Sequence, residues 1–281
     1  MNAPGTVVVL GAGRMGAGIA HSFLLAGSTV HLRDVNEVAV KRGRETLKRS
    51  LEIAAERSTS SISLDEVFAR LLTGVGIEPF PDTELVVEAV PESLSLKRAV
   101  WAELSENSPR SAVFASNTSS ISIGELAEEV AEPGRFIGMH FFNPVPVSKL
   151  VELVRGALTS DDTTRRVVGW IEAIGKHSIV AADVPGFATS RLGLAMGLEA
   201  VRMLEDGVAS AEDIDRGMEL GYGLPMGPLK LTDVVGLDVR LEIAEYLSGR
   251  LGERFTPPAL LRSMVERGDL GRKSGKGFYE W

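Results

Sequence analysis

"TVVVLGAGRMGAGIAHSFLLAGSTVHLRD", residues 6–34, decides the fold. Thr6–Leu10 is a short β-branched run, the residues after Leu10 carry small side chains at helical spacing, and Ser28–Asp34 is a second strand-like run ending in an acid. That order predicts a βαβ unit. Gly11, Gly13 and Gly16 form GxGxxG directly after the first strand, with Arg14 and Met15 between the last two glycines. The first glycine permits a tight turn, the second lets main chain approach a pyrophosphate, and the third packs helix on strand. The helix that opens there turns its N-terminus toward the phosphates. Asp34 follows about 20 residues on, where a carboxylate can accept both ribose hydroxyls and would repel a 2′-phosphate. NAD is therefore expected rather than NADP. Arg33 precedes Asp34, but neighbouring side chains on a strand point to opposite faces.

Outward from this unit the alternation continues. Strands are expected at 85–92, 112–120, 135–141, 149–154 and 177–182, with helices at 36–57, 93–106 and 161–174. The fold class is α/β: a Rossmann-type, doubly wound, mostly parallel sheet. From Pro185 the texture changes to helix-period segments punctuated by Gly and Pro, with Ser210, Glu212 and Asp213 marking one helix start. The expected domains are 1–184, binding the dinucleotide, and a smaller all-helical 185–281. The helical part has more apolar faces than four or five helices can bury alone, which points to a homodimer.

Composition narrows the function. With 281 residues, 30 basic against 38 acidic side chains and a net charge of −8, the chain has no basic tract, so nucleic acid and anionic membranes are poor partners. It has no cysteine, which excludes disulfides, thiolate metal sites and a cysteine nucleophile and fits a reducing cytoplasm. No metal is expected. The N-terminus lacks a basic n-region and its apolar run is broken by glycines, so a soluble, cytoplasmic protein is expected.

"GMHFFNPVPVSKLVELV", residues 138–154, sets His140 in apolar surroundings with Glu152 as the nearest downstream carboxylate. A buried imidazole needs a hydrogen-bond partner or loses its charge. Glu92, Ser116, Asn117, Ser119, His140 and Asn143 all fall at or past expected strand ends, where the crevice of such a sheet binds ligands. Each has a plainer reading: a satisfied core histidine, a solvated Glu152, a serine-rich strand exit in which Ser122 and Glu125 have capping-box spacing.

"VLGAGRMGAGIA", "SNTSSISI", "GMHFFNPVPVSKLVELV", "PGFATSRL", "PMGPLKLTDVVGLD" and "GRKSGKGFYEW", in this order over the full length, resemble the L-3-hydroxyacyl-CoA dehydrogenases, including the bacterial 3-hydroxybutyryl-CoA dehydrogenases. The resemblance implies reversible NAD-dependent oxidation of a (3S)-3-hydroxyacyl-CoA to the 3-ketoacyl-CoA, and a Rossmann domain followed by a helical dimerisation domain. It puts His140 on the catalytic base, Glu152 on its partner and Ser119 near substrate and nicotinamide. It puts Glu92, Lys97, Asn143 and Lys273 on NAD contacts, and Ser50 and Arg57 near those of CoA. "PGFATSR" departs from the family's "PGFxxNR": Ser190 stands where an amide is expected near histidine and substrate. Other readings of the scaffold are a hydroxyacid or sugar-acid dehydrogenase, one type of which uses a lysine as acid/base, or a non-catalytic NAD-binding protein.

Overall fold

The computed structural model describes residues 2–57 and 63–281, which divide into two compact units, Met1–Val184 and Pro185–Trp281. In the first unit the elements run β1 (Thr6–Leu10), α1 (Arg14–Leu25), β2 (Thr29–Asp34), α2 (Glu37–Arg57), α3 (Leu64–Ala69), β3 (Leu71–Val75) and β4 (Leu85–Glu88). They continue as α4 (Leu94–Asn107), β5 (Val113–Ser116), α5 (Ile123–Ala127), β6 (Phe136–Phe141), β7 (Leu150–Arg155), α6 (Asp161–Ala173) and β8 (His177–Ala182). The eight strands form one sheet in the order β3-β2-β1-β4-β5-β6-β7-β8. The first six are parallel, β7 runs antiparallel to β6, and β8 is parallel to β7.

Helix-covered parallel strands must be apolar on both faces, and every residue of Val7–Leu10, Leu85–Glu88 and Val113–Ser116 is buried. Trp101 on α4 is fully buried and meets Phe114 and Phe136 edge-on, with ring centroids 5.8 and 4.8 Å away, which seats α4 on the sheet. The sheet reverses its winding between β1 and β4. The crevice beyond the carboxyl ends of those strands is where such folds bind ligands.

Two expected strands are shorter than read. β4 stops at Glu88 and β5 at Ser116, and the polar residues after them belong to the crevice rim. The sequence reading passed over α3 and β3. β3 is an edge strand whose Gly74 has no room for a side chain, because a Cβ there would lie 2.1 Å from Arg33 Nη1. The alternation that marks a strand is interrupted at that point.

The second unit consists of α7 (Thr189–Glu205), α8 (Ala211–Tyr222), α9 (Pro228–Val235), α10 (Leu237–Leu251) and α11 (Ala259–Glu266) around Leu194, Leu198, Leu229, Leu247, Phe255 and Leu261. Ser210 caps α8 by accepting the Asp213 N–H at 3.1 Å. Two buried aspartates organise the remainder. Asp215 on α8 accepts the Leu229 and Lys230 N–H groups, each at 2.8 Å, satisfying the first turn of α9 from a neighbouring helix. Asp233 on α9 accepts the N–H groups of Phe278 and Tyr279 and the Trp281 indole, each at 2.9 Å, and so fastens the C-terminal tail. A Cβ at Gly227 would lie 2.2 Å from Asp215, and one at Gly277 2.2 Å from Asp233 Oδ1. These contacts account for the glycine of "PMGP" and the second glycine of "GKGF".

Candidate active site

At the end of β1 the three glycines do three different jobs. Gly11 has φ +101, and a Cβ there would meet the Ala89 carbonyl at 2.5 Å, directly beside β4. Gly16 faces the Gly11 carbonyl so closely that a Cβ would sit 1.7 Å from it, so α1 presses on the loop. Gly13 has open space on its side-chain face, with nothing within 4 Å, as a backbone that a phosphate approaches requires. It is also the N-cap of α1, whose first turn carries no acid. An open pocket of about 250 Å³ lies against this loop, lined by Ala12, Gly13, Arg14, Asp34, Ala39, Arg42 and Thr46.

Asp34 closes one wall of that pocket. Its Oδ2 accepts the Ala12 N–H at 2.6 Å and its Oδ1 the Val35 N–H at 2.7 Å, which orients the carboxylate at the end of β2. Arg33 turns away from it. The guanidinium donates to Glu78 at 2.9 Å and to the carbonyls of Val75 and Gly76 at 2.8 and 3.1 Å. The residues present therefore fit NAD: an open glycine loop, a helix start without competing acid, and a carboxylate at the ribose position.

His140 and Glu152 are cross-strand partners in the antiparallel pair β6–β7. Residues directly opposite on such a pair put their side chains on one face. His140 Nδ1 lies 3.0 Å from Glu152 Oε2, with the carboxylate completely buried and the imidazole nearly so. With Glu152 ionised, Nδ1 donates to it, and Nε2 is the nitrogen that can accept a proton. Phe142 packs on the imidazole, ring centroids 4.6 Å apart. Asn117 Oδ1 accepts the Phe141 N–H at 3.0 Å and ties the exit of β5 to the end of β6.

Glu92 gathers the rim. Its Oε1 accepts the Thr118 hydroxyl at 2.5 Å and the Ser119 and Ser120 N–H groups at 2.9 and 3.2 Å. Burial would raise its pKa, but the Lys97 charge and the hydrogen bonds from Thr118 and Ser119 outweigh it and hold Glu92 below the usual carboxylate range. Lys97 is itself buried. It bridges Glu88 Oε1 at 2.5 Å and Glu92 Oε2 at 3.3 Å, and Ser116 donates to Glu88 Oε2 at 2.6 Å. The structure thus places Lys97 beneath the rim, in contact with Glu92. The hydroxyl of Ser119 and the side chain of Asn143 are on the exposed side.

Of the remaining candidates, Ser50 on α2 shares a 3.0 Å hydrogen bond with His21 Nδ1 on α1, and Arg57 is exposed at the end of α2. His21 is buried, and desolvation first, then the Lys176 charge, lowers its pKa from 6.5 to about 4, so it is neutral at neutral pH. In the second unit Ser190 lies in the first turn of α7, and Lys273, in the C-terminal loop, pairs with Asp238. The sequence reading did not single out Ala39, Arg42 or Thr46. Their i, i+3, i+7 spacing on the helix after Asp34 was the available signal. Among the described residues no cluster of His, Asp or Glu could hold a metal ion, and no helix is long and apolar enough to cross a membrane.

A dinucleotide loop with a buried imidazole–carboxylate pair in the same sheet places the chain among the NAD-dependent dehydrogenases. Residues 6–184 match the family model described as 3-hydroxyacyl-CoA dehydrogenase, NAD binding domain, and residues 186–281 match that of its C-terminal domain. The chain belongs to the 3-hydroxyacyl-CoA dehydrogenase family, and its cofactor is NAD. It is 41% identical over 277 residues to a probable 3-hydroxybutyryl-CoA dehydrogenase of Bacillus subtilis, covering 98% of this chain and 96% of that one. The structure of (S)-3-hydroxybutyryl-CoA dehydrogenase from Ralstonia eutropha superposes with a TM-score of 0.94 at 38% identity, covering 99% of each chain. That of FadB2 from M. tuberculosis does so at 0.93 and 39% identity, covering 100% of both.

Proposed function

We propose that this chain catalyses the reversible NAD-dependent oxidation of a (3S)-3-hydroxyacyl-CoA of the 3-hydroxybutyryl type to the 3-ketoacyl-CoA. The observation that carries this reading is the buried His140–Glu152 pair, 3.0 Å apart, in the same sheet as the glycine loop. NAD, held by the Gly11–Gly16 loop and Asp34, supplies the hydride acceptor.

Everything else falls to the chain. His140 Nε2 removes the hydroxyl proton as the carbonyl forms, and Glu152 orients the ring and stabilises the imidazolium as the proton arrives. In the reverse direction the same nitrogen returns the proton to the oxygen. Ser119 donates its hydroxyl to the reacting oxygen. Asn143 orients the nicotinamide end, and Glu92, backed by Lys97, fixes the Ser119 backbone. By the family resemblance Lys273 is assigned to the cofactor, Ser190 to the substrate, and Ser50 and Arg57 to the CoA moiety. Phe142, packed on the imidazole, limits competing water there. The same reading takes the chain as a cytoplasmic homodimer. Leu192, Val208, Leu220 and Tyr222, all strongly exposed on the helical unit, support self-association.

The test is NADH absorbance with acetoacetyl-CoA, run beside free hydroxy acids and sugar acids. Consumption of NADH with the thioester, and no formation of NADH from NAD with the acids, is expected. Turnover of the acids alone would replace this reading with a hydroxyacid dehydrogenase.

A further inference from the structure

Between His140 on β6 and Glu152 on β7 the chain makes a loop, residues 142–149, that carries Asn143. We propose that Lys176 is a positioning residue for the reaction: its buried ammonium grips this loop and sets where Asn143 stands against the cofactor. The inference rests on the function proposed above and extends it to a residue outside its machinery.

Lys176 is placed by main chain before its side chain does anything. α6 ends in a Schellman turn: Gly175, at φ +74, donates to the Glu172 carbonyl at 2.9 Å, and Lys176 N–H donates to that of Ile171 at 3.0 Å. From this fixed point the side chain enters the sheet edge, where Nζ donates to the carbonyls of Val145 and Ser148, both at 2.6 Å. Burial pushes its pKa down, and no carboxylate pairs with it among the described residues. A desolvated cation is costly, and an apolar side chain would pack there at lower cost. The geometry it imposes is what the lysine adds.

The loop is gripped from the other side as well. Val145 is buried against α1, where a Cβ at Gly18 would lie 2.7 Å from Val145 Cβ, so the cofactor helix itself forms the opposing jaw. The Val147 and Ser148 N–H groups both donate to the Pro144 carbonyl, at 3.0 and 2.9 Å, and His177 N–H donates to Lys149 at 2.7 Å. Asn143 is two residues from Val145. Moving this turn moves Asn143 relative to α1, whereas the β6–β7 ladder holds His140 opposite Glu152 independently.

The separation makes the role measurable. Lys176→Met should weaken NAD about tenfold, by calorimetric Kd and by KM, and lower kcat by a similar factor, because misplacing a positioning group by about an ångström costs on that order or more. The midpoint of the kcat pH profile should not move, since the ladder still assembles the pair. Lys176→Arg, which keeps a cation for the two carbonyls, should recover most of the NAD affinity. A purely structural lysine would lower Tm and leave Kd and KM for NAD unchanged. Should Lys176→Met fail to fold, Gly18→Ala pushes the same loop from the opposite jaw with no loss of charge. It should weaken NAD likewise, with relief on adding Val145→Ala. NAD affinity within twofold of the parent in folded Lys176→Met, or failing that in Gly18→Ala, overturns the proposal. Calorimetry reads this even if no acyl-CoA is turned over, which would overturn the proposed substrate instead.

Discussion

The two units each contain a carboxylate with no solvent exposure, and their partners differ in kind. Glu152, in the sheet, faces an imidazole at 3.0 Å, a ring whose second nitrogen can take up a proton. Asp233, in the helical unit, faces two backbone N–H groups and an indole N–H, none of which titrates. A buried acid against fixed donors holds a chain segment in place, whereas one against a titratable base can take part in moving a proton.

Five substitutions test that contrast, from the largest effect down. His140→Gln should lower kcat by a factor on the order of 10³ with NAD binding near normal, since general base catalysis contributes about 10²–10⁴. Steady-state rates with acetoacetyl-CoA beside an NAD titration check it, and an undiminished kcat removes the mechanism. Glu152→Gln should lose somewhat less.

His21 supplies the next effect, on stability. Its folded pKa of about 4 lies below the 6.5 of the unfolded chain, so between these values the unfolded state binds the extra proton. Stability from this group is complete above pH 6.5 and falls as the pH drops toward about 4, by about 3 kcal/mol in total. Urea unfolding at pH 7 and pH 4.5 should show a smaller difference for His21→Gln than for the parent; equal slopes would contradict it.

Asp233→Asn leaves one acceptor oxygen facing three donors and should cost about 2 kcal/mol of unfolding free energy, because buried donors are left without partners. Denaturant titration of this variant beside Glu152→Gln sharpens the comparison: the first should lose stability ahead of rate and the second rate ahead of stability. The smallest effect is at the cofactor. Asp34→Ser should narrow the preference for NAD over NADP by about tenfold, the worth of one charge-assisted hydrogen bond, read as the ratio of kcat/KM values.

How far the sequence carried this depended on local pattern. β1, α1 and β2 were legible because β-branched runs, glycine spacing and a terminal acid coincide within thirty residues. β3 was not, because Gly74 yields its side-chain volume to Arg33 and apolar Leu72 and Val75 are exposed at the sheet edge, so no clean apolar–polar alternation marks it. The ends of β4 and β5 were overread because the polar residues beyond them look like strand continuations until the backbone turns into the crevice. The His140–Glu152 pairing was legible only as two types of residue in one block, and the register that joins them is a property of the sheet. Lys97 was assigned to an NAD contact by the resemblance alone, and its buried contact with Glu88 joins residues nine apart on different elements. Lys176 gave no signal, since nothing in "GKHS" reveals that two distant carbonyls await it.

The pairing of His140 with Glu152 is a matter of parity. Side chains alternate along a strand, so sliding β7 by one residue would bring Val151 or Leu153 opposite His140 and send Glu152 through to the other surface of the sheet. β8 guards against that slide from the far side, matching Glu152 to Ile179 and Leu153 to Val180. An insertion in the 142–149 turn leaves the β6–β7 register as it is, whatever it does to Asn143, but an odd deletion inside Leu150–Arg155 has no silent solution. The proton relay is thus kept in step by counting along three strands, and a scan of single-residue deletions should find activity lost in β7 at positions where no side chain touches a ligand.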